Sequence, residues 1–151
     1  MKRTSTEWLP EEPAFSSAAV MLPELLHDYF KAGRKLDAKS SARQMHRFRL
    51  KTKRLRYTLE AFLPLYGPGL ESRLEVVRPI QNTLGDFNDC EVLLEEMGGQ
   101  LSSEVKRYLK RRAGKLRREF LDYWRKTFDV KGEEAKWENY LKRAKRSRPA
   151  K

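Results

Sequence analysis

Only one of the 151 residues is a cysteine, Cys90. It has no partner for an intramolecular disulfide, no second thiol for a redox pair and no companions for a cysteine-based zinc site. Long apolar runs are missing as well, and no stretch approaches the roughly eighteen residues that a membrane-spanning helix needs. At the N-terminus Met1, Lys2 and Arg3 are followed by Glu7, Pro10, Glu11, Glu12 and Pro13, which interrupt the apolar centre that a secretory signal requires. Together these absences predict a cytoplasmic protein that inserts into no membrane. Strand-like alternation and short-period repeats are lacking too. Histidine is scarce: His27 and His46 fall on different predicted helices, and no acidic pair accompanies either one. Neither a metal centre nor a resident cofactor is expected.

Positive charge is abundant instead. Lys and Arg number 33 against 21 Asp and Glu, a formal net charge of +12 that attracts polyanions. Hydrophobic residues make up 39% and charged residues 36%, a balance that suits amphipathic helices around one modest core.

Apolar residues recur at helical spacing along most of the chain. A first helix is predicted over 15–35, with Pro23 as a kink or as its true start. Ser40 and Ser41 then cap a second helix over 42–66, ended by Pro64 and the Gly67-Pro68-Gly69 run. A third is expected over 70–84, with Pro79 inside it and Gly85 at its stop. Asn88 and Glu91 have the form of a capping box opening a fourth helix through Met97. Ser102 or Ser103 starts a fifth that continues to 128, and a short last helix follows Gly132 through Leu141. The fold class expected is all-α, an antiparallel helical bundle with long helices. Its limits are a flexible N-terminal arm over 1–14, the bundle over 15–141 and a basic tail over 142–151.

The charge is segregated. Residues 43–56 and 106–118, inside the two longest predicted helices, contain no acidic residue. Like charges three and four residues apart cost a helix a few tenths of a kcal/mol per pair, a cost that a bound polyanion offsets. On the second helix His46, Arg49, Lys53 and Arg56 are spaced three, four and three apart, which places them in one row beside the apolar face. Such a row can follow a chain of phosphates, with Arg taking two oxygens at once and Lys acting as a point charge. Arg43, Arg47, Lys51 and Arg54 point further from the core and fit an ordinary solvated face. On the fifth helix Arg112 projects within the apolar sector, near Lys115, and needs either an internal carboxylate such as Glu60 or Glu119 or a bound anion.

Two segments carry a family likeness. Residues 45–57, Met-His-Arg-Phe-Arg-Leu-Lys-Thr-Lys-Arg-Leu-Arg-Tyr, resemble the first motif of the CHAD family, the conserved histidine α-helical domain: a His, an Arg three later, then a basic pair before Leu-Arg. Residues 80–89, from Ile80 through Leu84-Gly85 to Asp89, resemble its second motif, a helix ending in Leu-Gly followed by a turn and an Asp. The likeness extends over 15–128, beyond the motifs as helical pattern alone. It implies an all-helical module that binds inorganic polyphosphate along a basic surface, associates with polyphosphate granules and is not an enzyme. By motif position it implies anion contacts for His46, Arg49, Lys53 and Arg56, matches Arg54 to the basic pair, and matches Asp89 to the second-motif acid, which reads physically as a first-turn carboxylate. Full members usually pair two related bundles across a basic groove, whereas this chain resembles one, so a homodimer is the simplest way to rebuild the facing surfaces.

The function expected is therefore non-catalytic binding of inorganic polyphosphate through His46, Arg49, Lys53, Arg54, Arg56, Arg112 and Lys115. Two readings compete. A nucleic-acid-binding helical protein is suggested by the net charge and the basic tail, although the basic helices lack interleaved aromatics for base stacking. A metal-dependent phosphohydrolase would need a metal cluster or an activated nucleophile that the sequence does not offer.

Overall fold

A computed structural model describes residues 12–143, with side chains from Ser17 onward. Helix α1 (Glu12–Arg34) runs through Pro23 without ending there, because Ala18, Leu22, Leu26, Tyr29 and Phe30 continue one buried stripe across it. It begins inside the expected N-terminal arm. Residues 1–11 of that arm, with Trp8 and Leu9, and residues 144–151 of the basic tail lie outside the described residues.

Helix α2 (Ala42–Ala61) starts at a full capping box: Ser41 Oγ accepts from the Gln44 amide at 3.1 Å, and Gln44 Oε1 accepts from the Ser41 amide at 2.7 Å. The expected single helix to 66 breaks at Phe62. Pro64 has no amide hydrogen and its ring opposes the carbonyl four residues earlier, so the chain restarts as the one-turn α3 (Leu63–Tyr66). Gly67, with φ of 86°, then turns the chain into α4 (Pro68–Met97).

Helix α4 corrects the expectation of two helices split at Gly85. It is continuous for 30 residues, about 45 Å at 1.5 Å per residue. A glycine that ends a helix commonly adopts positive φ, and Gly85 is not among the glycines that do so, Gly67 and Gly132. The buried series Leu70, Leu74, Val77, Ile80, Leu84, Phe87 and Cys90 runs past Gly85 at unbroken spacings of three and four. Burying Phe87 and Cys90 outweighs the roughly 1 kcal/mol that a helical glycine costs. Asn88 is thus no cap, and Asp89 is a mid-helix carboxylate rather than a first-turn one.

Helix α5 (Ser103–Tyr123) is capped by Ser102 Oγ, which accepts from the Val105 amide at 3.2 Å. The expected α-helix to 128 instead ends in one π-helical turn, Trp124–Phe128, closed by the Asp129 amide on the Trp124 carbonyl at 2.6 Å. Helix α6 (Glu133–Lys142) follows. No strand occurs among the described residues.

Contacts between the helices fix an antiparallel bundle. On one flank of α4, His46 and Arg56 of α2 meet Asn88 and Gln81. On the other, Arg117 of α5 meets Phe87, and Tyr123 Oη donates to the Val76 carbonyl at 2.6 Å. Between them lies an aromatic core in which Tyr29 stacks on Phe48 at 4.7 Å, and Trp124 touches Tyr29, Phe30, Phe48, Phe120 and Phe128. Buried Tyr29 donates to Thr52 Oγ1 at 2.8 Å, and Thr52 donates in turn to the Phe48 carbonyl at 2.9 Å, so both hydroxyls are satisfied inside the core. Gly33 of α1 lies so close to the Trp124 indole that any side chain there would collide with it.

Candidate anion-binding seam between α2 and α4

The apolar face of α2 is Met45, Phe48, Thr52, Leu55 and Leu59. Beside it, on the flank turned to α4, lie His46, Arg49, Lys53 and Arg56. The two ends of this row are pinned to α4. His46 Nδ1 donates to Asn88 Oδ1 at 3.2 Å, which leaves Nε2 free for a second partner. Arg56 donates from Nη1 to Gln81 Oε1 at 2.9 Å and from Nε to Glu60 Oε2 at 2.9 Å. Gln81 and Asn88 are seven residues apart, two turns of one helix face.

The middle of the row has no such partners. Arg49 and Lys53 are half-buried, and neither makes a side-chain hydrogen bond or ion pair with a described residue. The antiparallel register sets them against the stretch of α4 around Gly85. A Cβ at Gly85 would meet nothing within 4 Å, so the space beside that backbone is open. Two cations without a partner among the described residues thus lie on α2 between the contacts to Asn88 and to Gln81. Such cations can hold an anion, because a charge-assisted hydrogen bond to Arg or Lys is about twice as strong as a neutral one.

The remaining sequence-derived candidates lie elsewhere. Arg54 is exposed and lines a small hollow with Leu25, Asp28 and Tyr29 of α1, away from the α4 flank. Arg112 and Lys115 are exposed on α5. The long Arg112 side chain leaves the apolar sector and reaches water, so it needs no internal carboxylate, and Glu60 pairs with Arg56 instead. Burial pushes the Cys90 thiol up; Arg112 opposes the shift, while Glu91, Asp89 and Asp86 of α4 add to it. Exposed Asp86 and Asp89 thus stand on α4, on the Cys90 side facing Arg112. The structure gathers His46, Arg49, Lys53 and Arg56 and leaves Arg54, Arg112 and Lys115 outside that group.

Sequence reasoning missed Gln81, Asn88 and Gly85 as parts of the seam, because a helix break was assumed between them. It also missed Arg117, whose guanidinium lies 5.2 Å from the Phe87 ring centre with a buried Nε that no group among the described residues accepts. Its place four residues after Ala113, on the edge of the apolar stripe, was the available signal. No cluster of three or more His, Cys, Asp or Glu able to hold a metal occurs among the described residues, and no described helix is long and apolar enough to cross a membrane.

Comparison with known proteins adds one finding. The family model described as CHAD domain matches residues 1–98, which include α1 to α4 and both halves of the seam. No curated protein matches the chain, and no solved structure does.

Proposed function

Because the chain belongs to the CHAD domain family, which is associated generally with polyphosphate binding, we propose that the α2–α4 seam binds inorganic polyphosphate and does not hydrolyse it. The observation that carries this reading is the pair Arg49 and Lys53, half-buried on α2 and without an ion pair or side-chain hydrogen bond to any described residue. Phosphates laid along the row accept from Arg49 and Lys53 and from the remaining donors of Arg56, and His46, in the form that carries both ring protons, donates one more hydrogen bond through Nε2. A row of cations supplies successive charge-assisted contacts along a phosphate chain, which is what binding needs.

Affinity rises with polyphosphate length until the row is filled and falls steeply with salt as counterions compete, by analogy with other linear polyanions. Titration with polyphosphates of defined length at several salt concentrations tests this. A flat salt response, or tighter binding of duplex nucleic acid than of polyphosphate in direct competition, would overturn the reading in favour of a nucleic-acid protein. Phosphate release from polyphosphate with magnesium or manganese would convert it into a hydrolase.

Arg54, Arg112 and Lys115 act in the same proposal as outlying cations that raise the local potential without joining the row. Leu50 and Tyr57 are exposed beside the row at 48% and 55%, and offer apolar contact to a second copy facing the first. In that homodimer two seams confront each other, and a dimer mass by light scattering at binding concentrations is the expected result. We place the protein in the cytoplasm at polyphosphate granules, where a fluorescent fusion should concentrate.

A further inference from the structure

The opposite flank of α2 carries a second concentration of unpaired charge. A crevice of about 380 Å³ between α1 and α2 is lined by Lys31 and Lys35 on one side and Arg47 and Lys51 on the other. Each pair is spaced i,i+4, so like charges stack one turn apart on both walls. Asp28 stands at the edge and also lines an adjoining hollow of about 130 Å³ with Lys51 and Arg54. None of these six residues makes an ion pair or side-chain hydrogen bond with a described residue. The contrast with Arg34, in the same last turn of α1 as Lys31, is sharp: Arg34 bonds two carboxylates. Among the described residues the crevice thus holds four cations against one carboxylate, Asp28, which pairs with none of them.

We propose that the α1–α2 crevice is a second anion site, for a compact phosphoanhydride such as inorganic triphosphate or the triphosphate arm of a nucleotide. Its volume lies within the range of small-molecule pockets, and it opens broadly to solvent between exposed cations. Four cations and one carboxylate give the lining a net charge of +3, suited to a short multiply charged anion. Ala32, Leu36 and Phe48 form an apolar wall, and Gln44 supplies an amide. Asp28 is the acceptor for a ligand hydroxyl, which a nucleotide sugar has and an inorganic chain lacks unless protonated. The site shares no residue with the seam and does not depend on the seam being the polyphosphate site.

The test follows backbone amides of the ¹⁵N-labelled full chain during titration with sodium triphosphate and, separately, with magnesium-free ATP at constant ionic strength. Saturable shifts at Ala32, Leu36, Gln44 and Phe48 are expected. They should persist in R49A/K53A and weaken about tenfold in K31Q/K35Q, the loss expected when charge-assisted contacts are removed. Tighter binding of ATP assigns the nucleotide arm, and equal or weaker binding assigns the bare phosphates. Shifts confined to residues around His46 and Asn88, shifts indifferent to K31Q/K35Q, or a linear response matching sodium sulfate would overturn the proposal. Failure of the seam in polyphosphate titrations would leave these crevice shifts in place, so the two readings fail separately.

Discussion

Two groups of cations in this molecule are treated in opposite ways. Between α1 and α6, Arg34 donates from Nε and Nη2 to the two oxygens of Asp129 at 2.8 and 2.9 Å and from Nη2 to Glu134 at 2.7 Å, while His27 Nδ1 meets Glu134 at 2.8 Å. Between α2 and α4, Arg49 and Lys53 have no partner among the described residues. The first arrangement is a clamp that holds α6 onto α1. The second leaves electrostatic interactions unmade until something arrives from solution. Composition alone cannot separate the two, since both rest on Arg and Lys in helices. The difference lies in whether the facing helix presents carboxylates, as around α6, or amides and a glycine, as along α4.

The sharpest way to break the comparison is to empty the seam. R49A/K53A should weaken polyphosphate binding about a hundredfold, some 3 kcal/mol for two charge-assisted contacts, and leave the thermal midpoint within a degree or two. A large fall in the midpoint would mean that these cations belong to the clamp class after all. Next in size is the support beneath the clamp: Gly33→Ala forces a methyl into the Trp124 indole and should cost about 1–3 kcal/mol of stability. Polyphosphate affinity at temperatures where the variant is folded should not change.

The clamp itself should contribute about 1 kcal/mol, because Arg34 is 42% exposed and solvent screens it. Its signature is pH. Burial pulls the Glu134 carboxyl upward, but hydrogen bonds and charge from His27 and Arg34 together hold it below its ordinary value. A carboxyl depressed in the folded state stabilises above its unfolded pKa of about 4.3 and loses that contribution as pH falls through the lower folded value. Thermal melts of wild type and R34A should therefore differ most near neutrality and converge below about pH 4. Smallest is Asn88→Ala, which releases His46 without removing a cation and should weaken polyphosphate binding only two- to threefold, under about 1 kcal/mol. A loss equal to that of R49A/K53A would make Asn88 a direct contact.

Much of this was legible in the residues. The row at 46, 49, 53 and 56 follows from helical spacing alone, and the structure keeps all four on the α4 flank. Ser41 and Gln44 announce the start of α2. Gly85 misled because a Leu-Gly pair before polar residues looks like a C-cap, while Ile80, Leu84, Phe87 and Cys90 carried the contrary signal in plain view. Arg112 misled for another reason: an angular position on a helical wheel does not say whether a long side chain bends back to water. The π-helical turn at 124–128 had no local signature, since Trp124 packs among five other rings and Gly33, most of them distant in sequence. Which flank of α2 meets α1 and which meets α4 is a tertiary fact. For that reason the residues alone did not show that exposed Arg47 and Lys51 line the crevice against α1 and that Arg54 lines the hollow beside it.

A glycine inside a thirty-residue helix weakens that helix by about 1 kcal/mol relative to alanine. At position 85 this looseness coincides with room for guests, so rigidity of α4 and occupancy of the gap trade against each other through one residue. An acidic substituent there, as in Gly85→Glu, would be a covalently tethered rival for Arg49 and Lys53, present at a local concentration that a diffusing ligand rarely reaches. Binding strength could thus be tuned across generations by a single codon, with every cation left untouched.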